Sequence, residues 1–339
     1  MSSAIRFDAQ LNENPTSLRR TTAPRPKFFR ANSAAATVFI QVVMPETFPY
    51  TSGNYDQRSL QHERRMIAVY RQQALRGEAL QPLANACWRA ASFEWVLYGD
   101  RQTVRQLWAE GARALALGFS KRGATFDPSP DQYILCLHLA LAASGERDAL
   151  AQALRLAPNL RDGALRNAQA FRHSRTHFHL AEAYALTISS VVARRAYEAR
   201  LALSSAEAAL ATDQSDWWEG QYPSPLEAAW HRSEHLAVCE AVRLMARALA
   251  DQGAPPTPFD RHEWGEELAR TMDRALESLL AFVQSSPNHH PKLYVWLPGI
   301  ALCNLATQAD LAMEWLATRS ELPSYQRLPL PLLTLSEQQ

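Results

Sequence analysis

The side chains best suited to chemistry fall into a few short stretches. Asp213-Gln-Ser-Asp216-Trp217-Trp218-Glu219-Gly-Gln-Tyr222 sets three aromatic side chains among three carboxylates. Adjacent tryptophans leave a regular element on different sides, so both cannot enter one core. Large aromatics ringed by charge have the composition of an interface hot spot. From Ser204 to Glu240 there are seven acids and one base, Arg232. Such a surface suits a basic protein partner. Its candidate binding residues are Asp213, Asp216, Trp217, Trp218, Glu219, Tyr222 and Glu227. The alternative is a plug, in which both indoles fold inward and close the ends of neighbouring helices.

Histidines supply the other candidates. His173 and His177 in His173-Ser-Arg-Thr-His177-Phe-His179 share a helical face with Leu180, Tyr184 and Ile188. Two imidazoles on one helix hold a metal only with a third ligand, which His138 would supply if the helices meet. Satisfied core or helix-end histidines are the plainer account. His231-Arg-Ser-Glu234-His235 spells H-x-x-E-H, the inverted zinc-peptidase order, which on a helix puts two imidazoles one turn apart beside a carboxylate. Neither a sheet pattern nor a third-ligand motif accompanies those five letters, so they read as the polar flank of an amphipathic stripe. There is no Gly-rich phosphate loop and no nucleophile elbow. The sequence therefore assigns no catalytic residue, no metal ligand and no cofactor.

The elements that must position these residues are helices. Ser129-Pro130-Asp131-Gln132 is a capping box. It opens Tyr133–Ala143, which is apolar on every side apart from His138 and so belongs at the centre, fully buried. Gly145 is the expected stop, and residues 146–156 read as a second helix packing back. Other helices are expected over residues 56–76, 82–98, from Asp100 to about Phe119, and over 163–171, 174–190, 191–211, 225–252, 260–284 and 298–320. Leu97–Val104 and Ala143–Leu150 share a pattern 46 residues apart, a spacing that suits stacked helix pairs. Residues 213–222 are expected as a loop, residues 37–43 as a lone strand or extended segment, and residues 328–335 as an apolar tail.

Composition sets the outer bounds. The chain has 339 residues, 47% hydrophobic and 20% charged, enough for a substantial core. Net charge is +1, which argues against the chain as a whole attracting nucleic acid. The charge is unevenly spread. Residues 1–122 carry 17 Lys+Arg against 9 Asp+Glu, and residues 204–339 carry 9 against 18. A basic front and an acidic back point either to partners selected by charge or to neutralisation within the fold. Residues 1–50 form a basic, Pro-containing arm, and residues 51–339 a single all-α domain. The four cysteines lie far apart, as buried thiols in a reducing cytoplasm would. No secretory signal and no membrane-length apolar run is present.

Two segments carry a family resemblance. They are Asp131-Gln-Tyr133…Leu139-Ala-Leu141…Gly145-Glu-Arg-Asp148-Ala149 and Pro291-Lys-Leu-Tyr294-Val-Trp296-Leu297-Pro298…Ala301-Leu302. With the helical order over residues 80–320, they resemble the all-α immunity proteins of bacterial polymorphic toxin systems, nearest the immunity family numbered forty-nine. The resemblance implies a non-catalytic cytoplasmic protein that binds and occludes a cognate toxin, with a basic, nuclease-like toxin suiting the acidic stretch. The expected architecture is about ten helices stacked as antiparallel pairs. A helical-repeat scaffold joining protein partners is the alternative, and a metal-dependent hydrolase built on His231, Glu234 and His235 the more distant one.

Overall fold

The computed structural model describes residues 53–123, 128–143, 146–160, 175–193, 195–222, 224–251, 261–285, 295–309 and 311. The expected N-terminal arm, lone strand, helix at 163–171, glycine stop at 145 and apolar tail lie outside these residues. The described part is helical, with no strand.

The first group comprises α1 (Gly53–Leu75), α2 (Leu80–Tyr98), α3 (Arg101–Arg122), α4 (Pro130–Ala143) and α5 (Arg147–Leu154). Two residues join α2 to α3. Gly99 takes a left-handed φ of 63° and donates its N–H to Trp95 O, which ends α2. Asp100 accepts from the amides of Gln102 and Thr103, at 3.0 and 3.2 Å, and so starts α3. This short reversal makes a helical hairpin, the form the sequence pattern called for. Ion pairs tie α1 across it: Arg89 to Glu63 and Arg64 to Glu94, both at 2.7 Å, and Arg71 to Glu110 at 2.6 Å.

The second group comprises α6 (Arg175–Ala193), α7 (Ala196–Ala211), α8 (Ser215–Gln221), α9 (Pro225–Asp251), α10 (Arg261–Ser285) and α11 (Leu297–Gln308). α6 packs on α7, α7 on α9, and α9 on α10, while α11 packs on α4. Two expectations are corrected here. The helix expected over residues 191–211 starts five residues later, because α6 runs on to Ala193. The Ser190 hydroxyl then accompanies the reversal by donating to Arg195 O. The expected loop at 213–222 is mostly the seven-residue helix α8.

α4 is the hub, touching α3, α5, α6 and α11. Its all-round apolar surface has neighbours on nearly every side. Tyr133, Cys136, Leu137, Leu139, Ala140, Leu141 and Ala142 are buried, as is His138. Full burial is nevertheless corrected for Ile134 and Leu135, which are half-buried because they face a cavity, and for Ala143, half-buried at the last position of the helix. The four cysteines sit one each on α2, α4, α9 and α11, all buried and free. Among the described residues no helix is long and apolar enough to cross a membrane.

Candidate functional site

The cavity beside α4 has a volume of about 520 Å³. Asp131, Ile134, Leu135 and His138 reach it from α4 at the i, i+3, i+4, i+7 spacing of one helical face. Trp230, His231, Glu234, His235 and Val238 reach it from α9 by the same periodicity. α6 adds His177 and Leu180, α8 adds Trp217 and Trp218, and Tyr222 follows immediately after α8. Trp88 of α2 and Trp296, at the start of α11, complete an aromatic wall.

Trp218 is 3% exposed and donates its indole N–H to Asp213 Oδ1 at 2.8 Å. Arg232 of α9 donates to the other oxygen of the same carboxylate, also at 2.8 Å. Asp213 is thereby a buried staple between α8 and α9, its side chain only 5% exposed. This bond explains why so short a helix forms where no apolar period announces one: its anchor is a tertiary contact. Trp217 meets Trp218 edge to face, with ring centroids 4.8 Å apart at 89°. His177 packs between them and His235, at 4.9, 5.1 and 4.6 Å. Tyr222 stacks on His231 at 4.2 Å, and Trp230 on Phe282 of α10 at 4.8 Å.

Hydrogen bonds fix the tautomer of His235. The Thr176 hydroxyl donates its one proton to Ala209 O at 2.7 Å, so at 2.8 Å from His235 Nε2 it must accept. Nε2 therefore carries the hydrogen. Burial, and then the neighbouring His177, hold the His235 pKa well below 6.5, so the ring is neutral. Burial alone pulls His138 down to about 3. Glu234 accepts the Trp296 indole N–H at 2.8 Å. Asp131 reaches His177 Nε2 only at 4.0 Å, and its side chain is 57% exposed.

The chain matches no protein-family model, no curated protein and no solved structure.

The candidate residues of the sequence divide into three sets. Asp216 and Glu219 are exposed on α8, and Glu227 is half-buried at the start of α9. Trp217 and Tyr222 are half-buried and line the cavity. Trp218 and Asp213 are interior, so for these two the plug alternative describes the structure. His177, His138 and His235 do come to one cavity, although their sequence stretches are far apart. They are not arranged as ligands. His235 Nε2 lies against both the Thr176 hydroxyl at 2.8 Å and the Cys239 thiol at 3.4 Å, and among the described residues no three His, Cys, Asp or Glu are grouped to hold a metal ion. His173 lies outside the described residues. The sequence reading missed Trp88 and the role of Asp131, Ile134 and Leu135. The four-residue face on α4 was the one available signal, masked because apolar residues surround it.

Proposed function

We propose that the chain is a non-catalytic binding protein that neutralises a cognate basic protein toxin by covering it with the acidic face of α8 and the start of α9. The observation that supports this best is the placement of Asp216 and Glu219. Both are exposed on a helix whose half-buried neighbour Trp217 borders the aromatic cavity, so charge and an aromatic anchor sit side by side. The carboxylates act on the rate of encounter and the tryptophan on the rate of release. The resemblance to immunity proteins supports the same reading.

The test uses the full chain and the protein encoded beside it. Purified chain at equimolar amount is expected to abolish that protein's toxic activity. Raising salt from 50 to 300 mM is expected to slow association at least tenfold, since exposed charges are screened over about 8–10 Å at physiological salt. The doubly reversed variant Asp216→Lys, Glu219→Lys is expected to lose protection while keeping its melting temperature. A neighbouring toxin left fully active by a stoichiometric excess of chain would overturn the reading.

A further inference from the structure

We propose that the cavity between α4, α6, α8 and α9 is a binding site for a small, flat aromatic compound that carries an amide or lactam group. The site is distinct from the exposed acids of α8, and its assignment goes beyond toxin neutralisation without resting on it.

The walls select the shape of the ligand. Packed helical interiors leave few spaces larger than a water molecule, so a cavity of about 520 Å³ beside the hub is not ordinary packing. Its volume falls within the range of small-molecule sites. Five of the nine tryptophans of the chain line it: Trp88, Trp217, Trp218, Trp230 and Trp296. A flat ring gains from stacked or edge-on contact with such walls, beyond the apolar area it covers. Ile134 and Leu135, half-buried on α4, add apolar surface. The rings are already held against one another. Trp217 meets Trp218 edge to face at 89°, Tyr222 lies on His231 at 15°, and Trp218 is tied to Asp213. Little ordering therefore remains when a ligand enters.

The polar groups select what the ring carries. Asn85, Gln132, Trp217 and Tyr222 are half-buried at the cavity, and among the described residues none of these side chains makes a hydrogen bond. The Trp217 indole N–H can only donate, so it calls for an acceptor on the ligand. The side-chain amides of Asn85 and Gln132 and the Tyr222 hydroxyl can both donate and accept. A carbonyl answers the first group, and an amide answers all four. These groups are uncharged, and burial keeps the Tyr222 phenol and the His138 and His235 imidazoles neutral as well. The acids at the cavity serve its walls. Glu234 accepts the Trp296 indole N–H at 2.8 Å, and Asp131 stands 4.0 Å from His177 Nε2. Recognition of this kind needs no ionic partner.

The experiment is equilibrium dialysis of the full chain against quinolin-2-one, a fused two-ring lactam that is uncharged at neutral pH. Octahydroquinolin-2-one keeps the lactam and loses the flat face, whereas quinoline keeps the flat face and loses the lactam. Quinolin-2-one is expected to saturate a single site, at a concentration about tenfold or more below either comparison compound. Leu135→Trp, which fills the cavity from α4, is expected to reduce that binding about tenfold or more. Tyr222→Phe removes one hydroxyl and is expected to narrow the preference over quinoline about threefold, with the melting temperature unchanged. A saturated lactam that binds as well as the flat one would overturn the assignment. So would the absence of saturable binding by quinolin-2-one, or binding that survives Leu135→Trp in a chain whose melting curve shows it folded. If Leu135→Trp unfolds the chain, Tyr222→Phe decides, since an undiminished preference for the lactam there overturns the assignment too.

Discussion

The two adjacent tryptophans are chemically alike and structurally unlike. Trp218 is enclosed and shares Asp213 with Arg232, whereas Trp217 is half-buried at the cavity. Trp218→Ala is therefore expected to cost about 3–5 kcal/mol of stability, the range for a large aromatic removed from a core. Trp217→Ala gives up less buried area and is expected to cost on the order of 1 kcal/mol. Urea unfolding of both variants decides it, and equal losses would place Trp217 in the core as well. The buried imidazoles give a second expectation. For His138 the folded pKa lies near 3 and the unfolded value near 6.5. Below 6.5 the unfolded chain binds the proton first, so stability is whole above that pH and falls on acidification. The loss approaches about 1.4 kcal/mol per pH unit for each such ring. His235 adds to it in the same direction. His138→Gln is expected to flatten the dependence of unfolding free energy on pH between 6 and 4.5, and an unchanged slope would show that His138 does not stay neutral. Of the site, the sequence made the individual residues legible. It did not show that Trp88 and Trp296 meet them, because residues 208 positions apart carry no mutual pattern.

Helices were legible wherever their own residues closed them. Asp100 and Gly99 form a local cap and stop, and the hairpin between α2 and α3 follows from two letters. Elsewhere the ends are satisfied from a distance. Asn304 of α11 donates to Leu141 O near the end of α4, Tyr133 of α4 to Ala153 O near the end of α5, and Thr176 of α6 to Ala209 O near the end of α7. Ala153 O also accepts the Leu156 N–H and Ala209 O the Thr212 hydroxyl, but the side-chain donors from other helices cannot be read from the local sequence. The same holds for α8, whose seven residues show no period and whose anchor is Asp213. Glycine position also depends on neighbours. Gly118 is half-buried in α3, and an added Cβ would meet Leu80 at an ordinary 3.7 Å. Gly118→Ala is expected to stabilise by up to about 1 kcal/mol through helix propensity. At Gly111 the same Cβ would lie 3.1 Å from Leu139 and 3.3 Å from the Ala84 carbonyl, where α2 and α4 approach α3. Gly111→Ala is expected to destabilise by about 1–3 kcal/mol. Thermal melts read both, and two shifts of the same sign would mean the helix crossing yields freely.

On the scale of the molecule, the all-α class and the central place of α4 followed from one run of residues, Tyr133–Ala143. Nothing apolar on all sides is stable without neighbours on all sides. The same argument overreached at Ile134 and Leu135, because an aromatic cavity accepts apolar walls as readily as a packed core does. Charge was legible only as a total per segment. The seven acids between Ser204 and Glu240 include Asp213 and Glu234, which hold indole N–H groups, and Asp216 and Glu219, which face solvent. A segmental sum cannot separate these roles, since each depends on residues brought in from another helix.

The four cysteines supply a clock for how the molecule breathes. Burial lifts the Cys136 and Cys303 thiols to about 12, so neither is a nucleophile until its helix parts from its neighbours. Alkylation in native buffer therefore counts opening events, one reporter each for α2, α4, α9 and α11. α4 is held by four other helices, so Cys136 is expected to react last, at the rate of global unfolding. Mass spectrometry of partly alkylated chain gives the order directly. If Cys136 were modified first, the hub would be the weakest part of the fold. If all four were modified together, the described helices would open as one cooperative unit.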